Sequence, residues 1–167
     1  MSQAALTRAK ELLGATVTAT HAYRGDDTIV VDPTQILHVM RTLRDDEVLK
    51  LDFLVDLTCV DYLGREPRFE MVYHLRSMKS GERLRVKAPL VEPEDGVTLP
   101  AIESISPLWK GADWFEREVY DLYGIKFTNH PDLRRILMYE QFVGHPLRKD
   151  YPKERRQPLV RRDPSEA

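Results

Sequence analysis

Apolar residues in the first segment recur at intervals of three and four. Ala5, Leu6, Ala9, Leu12 and Leu13 line one side of a predicted helix over residues 3–13, and Gly14 is placed to stop it. The period then shortens to two. Residues 17–23 and 28–31 read as strands of a hairpin, with Gly25-Asp26-Asp27 as the turn. Pro33 suits the first turn of a helix, where its missing N–H is not needed, and Ile36, Leu37, Met40 and Leu43 give that helix one apolar stripe. Residues 51–57 alternate loosely, and residues 60–63 prolong the apolar run. Phe69, Met71, Tyr73 and Leu75 fall on one side of a strand; after a Ser80-Gly81 turn, Leu84, Val86 and Ala88 continue the pattern in a paired strand. Pro89, Pro93 and Pro100 mark a loop. A last helix is predicted from Gly111 or Ala112 to Tyr123, buried through Ala112, Phe115, Val119 and Leu122, with Gly124 as its left-handed stop.

Beyond Gly124 the periodicity is lost. His130-Pro131, His145-Pro146, Tyr151-Pro152, Gln157-Pro158 and Asp163-Pro164 set a proline every few residues. Each lacks an N–H and pushes its predecessor toward extended backbone, which excludes a long helix or a central strand. Apolar anchors persist nonetheless: Phe127, Leu133, Ile136, Leu137, Met138, Tyr139, Phe142 and Leu147. The expected architecture is α+β: a mainly antiparallel sheet of hairpins packed with helices over residues 1–124, followed by an extended proline-rich C-terminal arm over 125–167. Ordering such an arm costs ~1–2 kcal/mol per residue. Its near part can recover that cost on its own body, and its basic far part is expected to recover it on a partner.

Charge sharpens this division. The chain has a net charge of −2, but residues 125–167 hold ten basic and six acidic side chains, whereas the first 124 hold 15 and 21. A basic arm on an acidic body fits a segment that meets a complementary surface. Cys59, the one cysteine, cannot by itself hold an iron–sulfur cluster or a structural zinc. No run approaches the length of a bilayer span, and Met1 to Gly14 lacks the continuous apolar stretch of a secretory signal.

Candidate chemistry is sparse. The sequence has no phosphate-cradling GxxxxGK[ST] or GxGxxG, no GxSxG and no HExxH. His130 and His145 precede proline, are followed by basic residues and lack a companion ligand, so they read as turn or hydrogen-bonding residues. In Glu116-Arg117-Glu118, Arg117 can pair with Asp121 one turn on. Glu118 lies about 40° from Leu122 around the helix, at the margin of the stripe, where a carboxylate needs a partner such as Arg134 or Arg135. The alternative reading makes Glu118 a tuned general acid. Arg155, Arg156, Arg161 and Arg162 could touch nucleic acid, but they lack the interleaved aromatics of such surfaces.

The run from Trp114 through Glu116, Arg117, Glu118, Asp121, Tyr123 and Gly124 to Ile125 resembles the signature of the C-type subunit (NuoC) of bacterial respiratory complex I, the homologue of the mitochondrial thirty-kilodalton subunit. The likeness continues through His130, Pro131, Arg134 and Arg135 to Leu137. It resumes at Gly144, His145, Pro146, Arg148, Lys149, Asp150, Tyr151 and Pro152. It is most specific from Trp109 to Pro152, and weaker at residues 56–62 and 69–75. The resemblance implies a subunit that binds no flavin, cluster or quinone itself. It further implies a place beside the D-type subunit, near the B and I types, in a peripheral arm that passes electrons from NADH through FMN and Fe–S clusters to quinone. Location at the cytoplasmic side of the cell inner membrane would follow, with membrane association indirect and no nucleic acid bound. The signature residues named above would form the interface. Related membrane-bound hydrogenases and other donor:quinone reductases share the motif.

Overall fold

The computed structural model describes residues 3–157. Helix α1 (Gln3–Leu13) leads through a 3₁₀ turn at Gly14 into strands β1 (Val17–Tyr23) and β2 (Asp26–Val31). The hairpin turn is tighter than the sequence suggested. Arg24 and Gly25 alone form it, both at positive φ (53° and 85°), and Asp26 and Asp27 already belong to β2. Two consecutive left-handed residues match the twist of the flanking strands. Pro33 opens a single 3₁₀ turn, capped by the Asp32 carboxylate on the Thr34 N–H, before helix α2 (Ile36–Asp45) begins.

Strands β3 (Phe53–Asp61), β4 (Phe69–Arg76) and β5 (Arg83–Leu90) complete a five-stranded sheet of order β1-β2-β5-β4-β3. The loose alternation expected around residues 51–57 and 60–63 resolves into one strand, β3, with a register shift between Leu54 and Asp56 that breaks the period. Pro89, expected in a loop, lies inside β5 opposite Glu70. The ladder between β5 and β2 ends at Lys87, so Pro89 sits where β5 has a neighbour on one side alone. That β2–β5 ladder is parallel. The sheet is therefore mixed, and only its remaining pairs are antiparallel.

Alternation aligns one buried row across four strands: Leu57, Tyr73, Val86 and Ile29. The next row, Cys59, Met71 and Ala88, is buried as well. Helices pack on this face, and the opposite face carries polar pairs such as Lys87–Glu70 at 2.7 Å. Helix α3 (Ala112–Tyr123) lies against β3 and ends at Gly124 with φ 70°. The core does not stop there. Ile125 and Phe127 are buried, and Phe127 belongs to a three-residue strand β7 (Lys126–Thr128) paired in parallel with β6 (Ala101–Glu103). Neither short strand was expected. Among the described residues no helix is long and apolar enough to cross a membrane.

Candidate functional site

Helix α3 and the chain that follows it form one hydrogen-bonded unit. The segment from His130 to Met138 runs alongside α3, fastened at successive turns. Asp113 accepts from His130 Nε2 through its carbonyl (3.3 Å), and Arg117 donates to the carbonyls of Arg134 and Arg135 (3.2 and 3.3 Å). Asp121 then takes the backbone N–H groups of Ile136, Leu137 and Met138 on one carboxylate oxygen (3.1, 2.8 and 2.8 Å) and the Arg135 guanidinium on the other (2.7 Å). The expected pair Arg117–Asp121 is thus replaced. Arg117 turns back toward Asp113 at 4.0 Å and outward to the arm, leaving Asp121 to Arg135. Burial pushes the Asp121 carboxyl up, but the Met138 and Leu137 N–H groups, Arg135 and the Ile136 N–H outweigh it. The net shift is below the usual carboxylate range.

The C-terminal end of α3 is finished by residues more than twenty positions later. A helix leaves its last carbonyls without partners, and here the arm supplies them. The Asp121 carbonyl accepts from His145 Nδ1 (2.9 Å), that of Leu122 from the Leu147 N–H (3.0 Å), and that of Tyr123 from Arg148 Nε (2.6 Å). Gly124 is needed twice over. Its left-handed φ favours a residue without a side chain, and a Cβ there would stand 2.5 Å from the His145 ring. Burial lowers the His145 pKa, in keeping with a neutral ring serving as a donor to a carbonyl. Gly144 makes similar room for the Tyr151 ring, which stacks on Phe142. Pro146 lies half-buried between His145 and Leu147.

Beyond the helix end, the arm meets the sheet at Arg68. This nearly buried guanidinium binds Asp61 through two bonds of 2.9 Å, and it also reaches Glu92 (2.6 Å) and Asp150 (3.0 Å). Arg148 shares Glu92 at 2.9 Å, and the Lys149 N–H donates to Asp61 (2.8 Å). Both arginines lie over the Phe69 ring. Desolvation raises the Asp61 pKa, but Arg68 and the Lys149 N–H lower it further, so the carboxylate stays ionised. Asp61, Arg68 and Glu92 were not singled out in the sequence. A signal for Asp61 existed: it continues the period-two series Leu57, Cys59 along β3, so an acid was already placed on the core face.

The structure corrects the reading of the acidic triplet. Glu118 is exposed and pairs with neither Arg134 nor Arg135; Arg134 is 70% exposed at its side chain and binds Asp132. The buried acid is Glu116, which accepts from Ser104 Oγ (2.6 Å) and the Ile105 N–H (2.7 Å). Burial pushes its pKa up to about 7, partly opposed by those two bonds and aided by Asp113. Pro131 is exposed beside this region. Among the described residues no group of three His, Cys, Asp or Glu is arranged to hold a metal ion. Arg161 and Arg162 lie outside the described residues.

Residues 29–157 match the family described as "Respiratory-chain NADH dehydrogenase, 30 Kd subunit". The C-type subunit of the NADH-quinone oxidoreductase of Citrifermentans bemidjiense is 50% identical over 148 residues, covering 89% of this chain and 88% of that protein. Its counterpart from Geobacter sulfurreducens is 44% identical over 149 residues, covering 89% and 88%. A solved trypsin-resistant fragment (1-134) of Nqo5 superposes with a TM-score of 0.60 at 28% identity, covering 77% of this chain and 99% of the fragment.

Proposed function

The chain belongs to the family of the thirty-kilodalton subunit of respiratory-chain NADH dehydrogenase, and from that premise we propose that it serves as a cofactor-free structural subunit in the peripheral arm of a proton-translocating NADH:quinone oxidoreductase. Membership makes it one subunit among those of an NADH-quinone oxidoreductase. In this reading the partner subunits hold FMN and the Fe–S clusters that carry electrons from NADH to quinone. This chain, not catalytic alone, positions the D-type subunit, with the B and I types nearby. It reaches the cytoplasmic side of the inner membrane through the complex. Residues 1–124 supply the body and 125–167 the docking arm.

The observation that carries this reading is the shape of the arm from His130 to Tyr151. Its backbone is fastened from within by Asp121, Arg135, Arg148 and Asp61, while large apolar side chains point away from that fastening. Leu137, Val143 and Leu147 on the arm are 56, 53 and 45% exposed, and Trp114 on α3 is 70% exposed. Binding costs conformational freedom, and a segment already held in place has little left to lose. Exposed apolar groups on a fixed backbone are therefore suited to a large, permanent contact.

The test is the double replacement of Leu137 and Leu147 by Glu in the assembled complex. The chain keeps its circular dichroism and melting temperature, because neither side chain is buried. The other subunits recovered with it fall ~10-fold or more, as expected for losing upward of ~1.4 kcal/mol of contact. Undiminished recovery of the complex sinks the proposal.

A further inference from the structure

Glu116 takes no part in fastening the arm, yet it is the most deeply placed acid of the signature. Groups face it from four directions. Asp113 lies on its own helix, His130 Nε2 stands 3.7 Å away on the arm, the Tyr73 phenol approaches from β4, and Ser104 and Ile105 approach from the loop after β6. None of these is a cation. The Asp132 N–H donates to His130 Nδ1 at 3.0 Å, so that nitrogen acts as an acceptor and Nε2 is the donor that faces Asp113 and Glu116. The Tyr73 hydroxyl and Asp113 Oδ1 are buried without a hydrogen-bond partner among the described residues. An ionised Glu116 thus has two donors and no positive charge, in a space that other acids and a phenol share.

The same carboxyl stands at the head of a hydroxyl chain. Glu116 Oε2 is 2.6 Å from Ser104 Oγ, which is 2.7 Å from Ser106 Oγ. Ser106 is half-buried and lines an open depression with Pro107, Lys110, Asp113, Asn129 and Pro131. Both links have the length of good O–H···O bonds, and each oxygen can donate or accept.

We propose that Glu116 is a buried proton-exchange site, loaded and emptied through the hydroxyls of Ser104 and Ser106. On unloading, the acid gives its proton to Ser104 Oγ as Ser104 passes its own to Ser106 Oγ. Ser106 releases its proton to solvent, and the two hydroxyls then turn to restore the chain with the carboxylate as acceptor. Loading runs in reverse. No bond beyond these O–H bonds is made or broken, and no co-reactant is needed. Burial places the exchange in the neutral range, since the carboxyl titrates at about 7.

The test uses the full chain with its glutamate carboxyl carbons isotopically labelled and followed by NMR from about pH 5 to about pH 9, a span that brackets both the ordinary and the raised value. One glutamate resonance titrates near neutrality and is missing from Glu116→Gln. Ser104→Ala moves that midpoint further up, because the lost hydroxyl favoured the ionised form; this shift identifies the resonance even if the glutamine variant does not fold. Ser106→Ala leaves the midpoint in place and slows exchange on the order of tenfold, because it removes the outlet and spares the contact to the acid. A Glu116 resonance titrating at ~4.3, as exposed glutamates do, overturns the site. Unchanged exchange in Ser106→Ala overturns the relay.

Discussion

Asp121 and Glu116 stand five positions apart on one helix, both wholly buried, and they differ in almost everything that follows from burial. Asp121 receives four hydrogen bonds, one from a guanidinium, and stays ionised below the usual range. Glu116 receives two, neither from a cation, and rises to about 7. Removal from water pushes both carboxyls up. The number and charge of the donors decide which one remains an anion. One acid is a fixed rivet for the arm, and the other is a site whose charge is adjustable.

Removing the rivet gives the largest effect. Asp121→Ala strands Arg135 and three N–H groups, so the chain loses ~3–5 kcal/mol in urea unfolding, and the arm between residues 134 and 148 becomes open to proteolysis. Should the variant keep both its stability and its protease resistance, the four bonds to Asp121 do not hold the arm.

The second effect is a matter of pH. The Glu116 pKa is raised in the folded chain, so its contribution to stability is complete below the ordinary value of ~4.3 and is lost as pH climbs through about 7. Glu116→Gln removes that decline. Relative to wild type, the variant gains on the order of 3–4 kcal/mol between about pH 4 and about pH 8. Asp121, Asp61 and Asp150 act with the opposite sign. Their lowered pKa values give stability that is present above ~3.9 and lost as pH falls through the folded values, so acid should release the arm first. Parallel pH–stability curves for wild type and Glu116→Gln would remove the contrast between the two acids.

Smaller still is Gly124→Ala. The left-handed backbone costs ~1–2 kcal/mol, and the clash with His145 adds to it. Combining it with His145→Ala recovers the clash and leaves the backbone cost, a non-additivity that a double-mutant cycle reads directly. At the bottom stands Glu118→Gln, within ~0.5 kcal/mol because the side chain faces solvent.

The mistaken choice between Glu116 and Glu118 shows how far helical spacing carries. The stripe of Ala112, Phe115, Val119 and Leu122 was legible, and so was the stop at Gly124. Judged against Leu122, Glu118 looks marginal. Against the whole stripe, however, Glu116 stands about 40° beyond Ala112 and Glu118 about 40° beyond Leu122, so the two acids are equally marginal. The wheel alone does not separate them; what does is the loop at Ser104 and Ile105, which meets Glu116. Partners were another matter. Asp121 meets residues 15 to 17 positions on, in a stretch without period, and Asp61 meets Lys149 across 88 positions. Pairings of that separation leave no local pattern. The same limit explains β6 and β7: three residues are too few to show alternation, and their partnership spans a whole helix. Arg135 was named as a neutralising arginine, correctly as a residue and wrongly as to its acid.

The finishing of the α3 terminus by His145, Leu147 and Arg148 has a consequence for how the protein is made. A ribosome delivers the helix well before it delivers those three residues, so the newborn molecule carries open carbonyls at the α3 end until they have emerged. A prematurely terminated copy would present frayed ends that cellular proteases can seize before it is ever built into a larger machine.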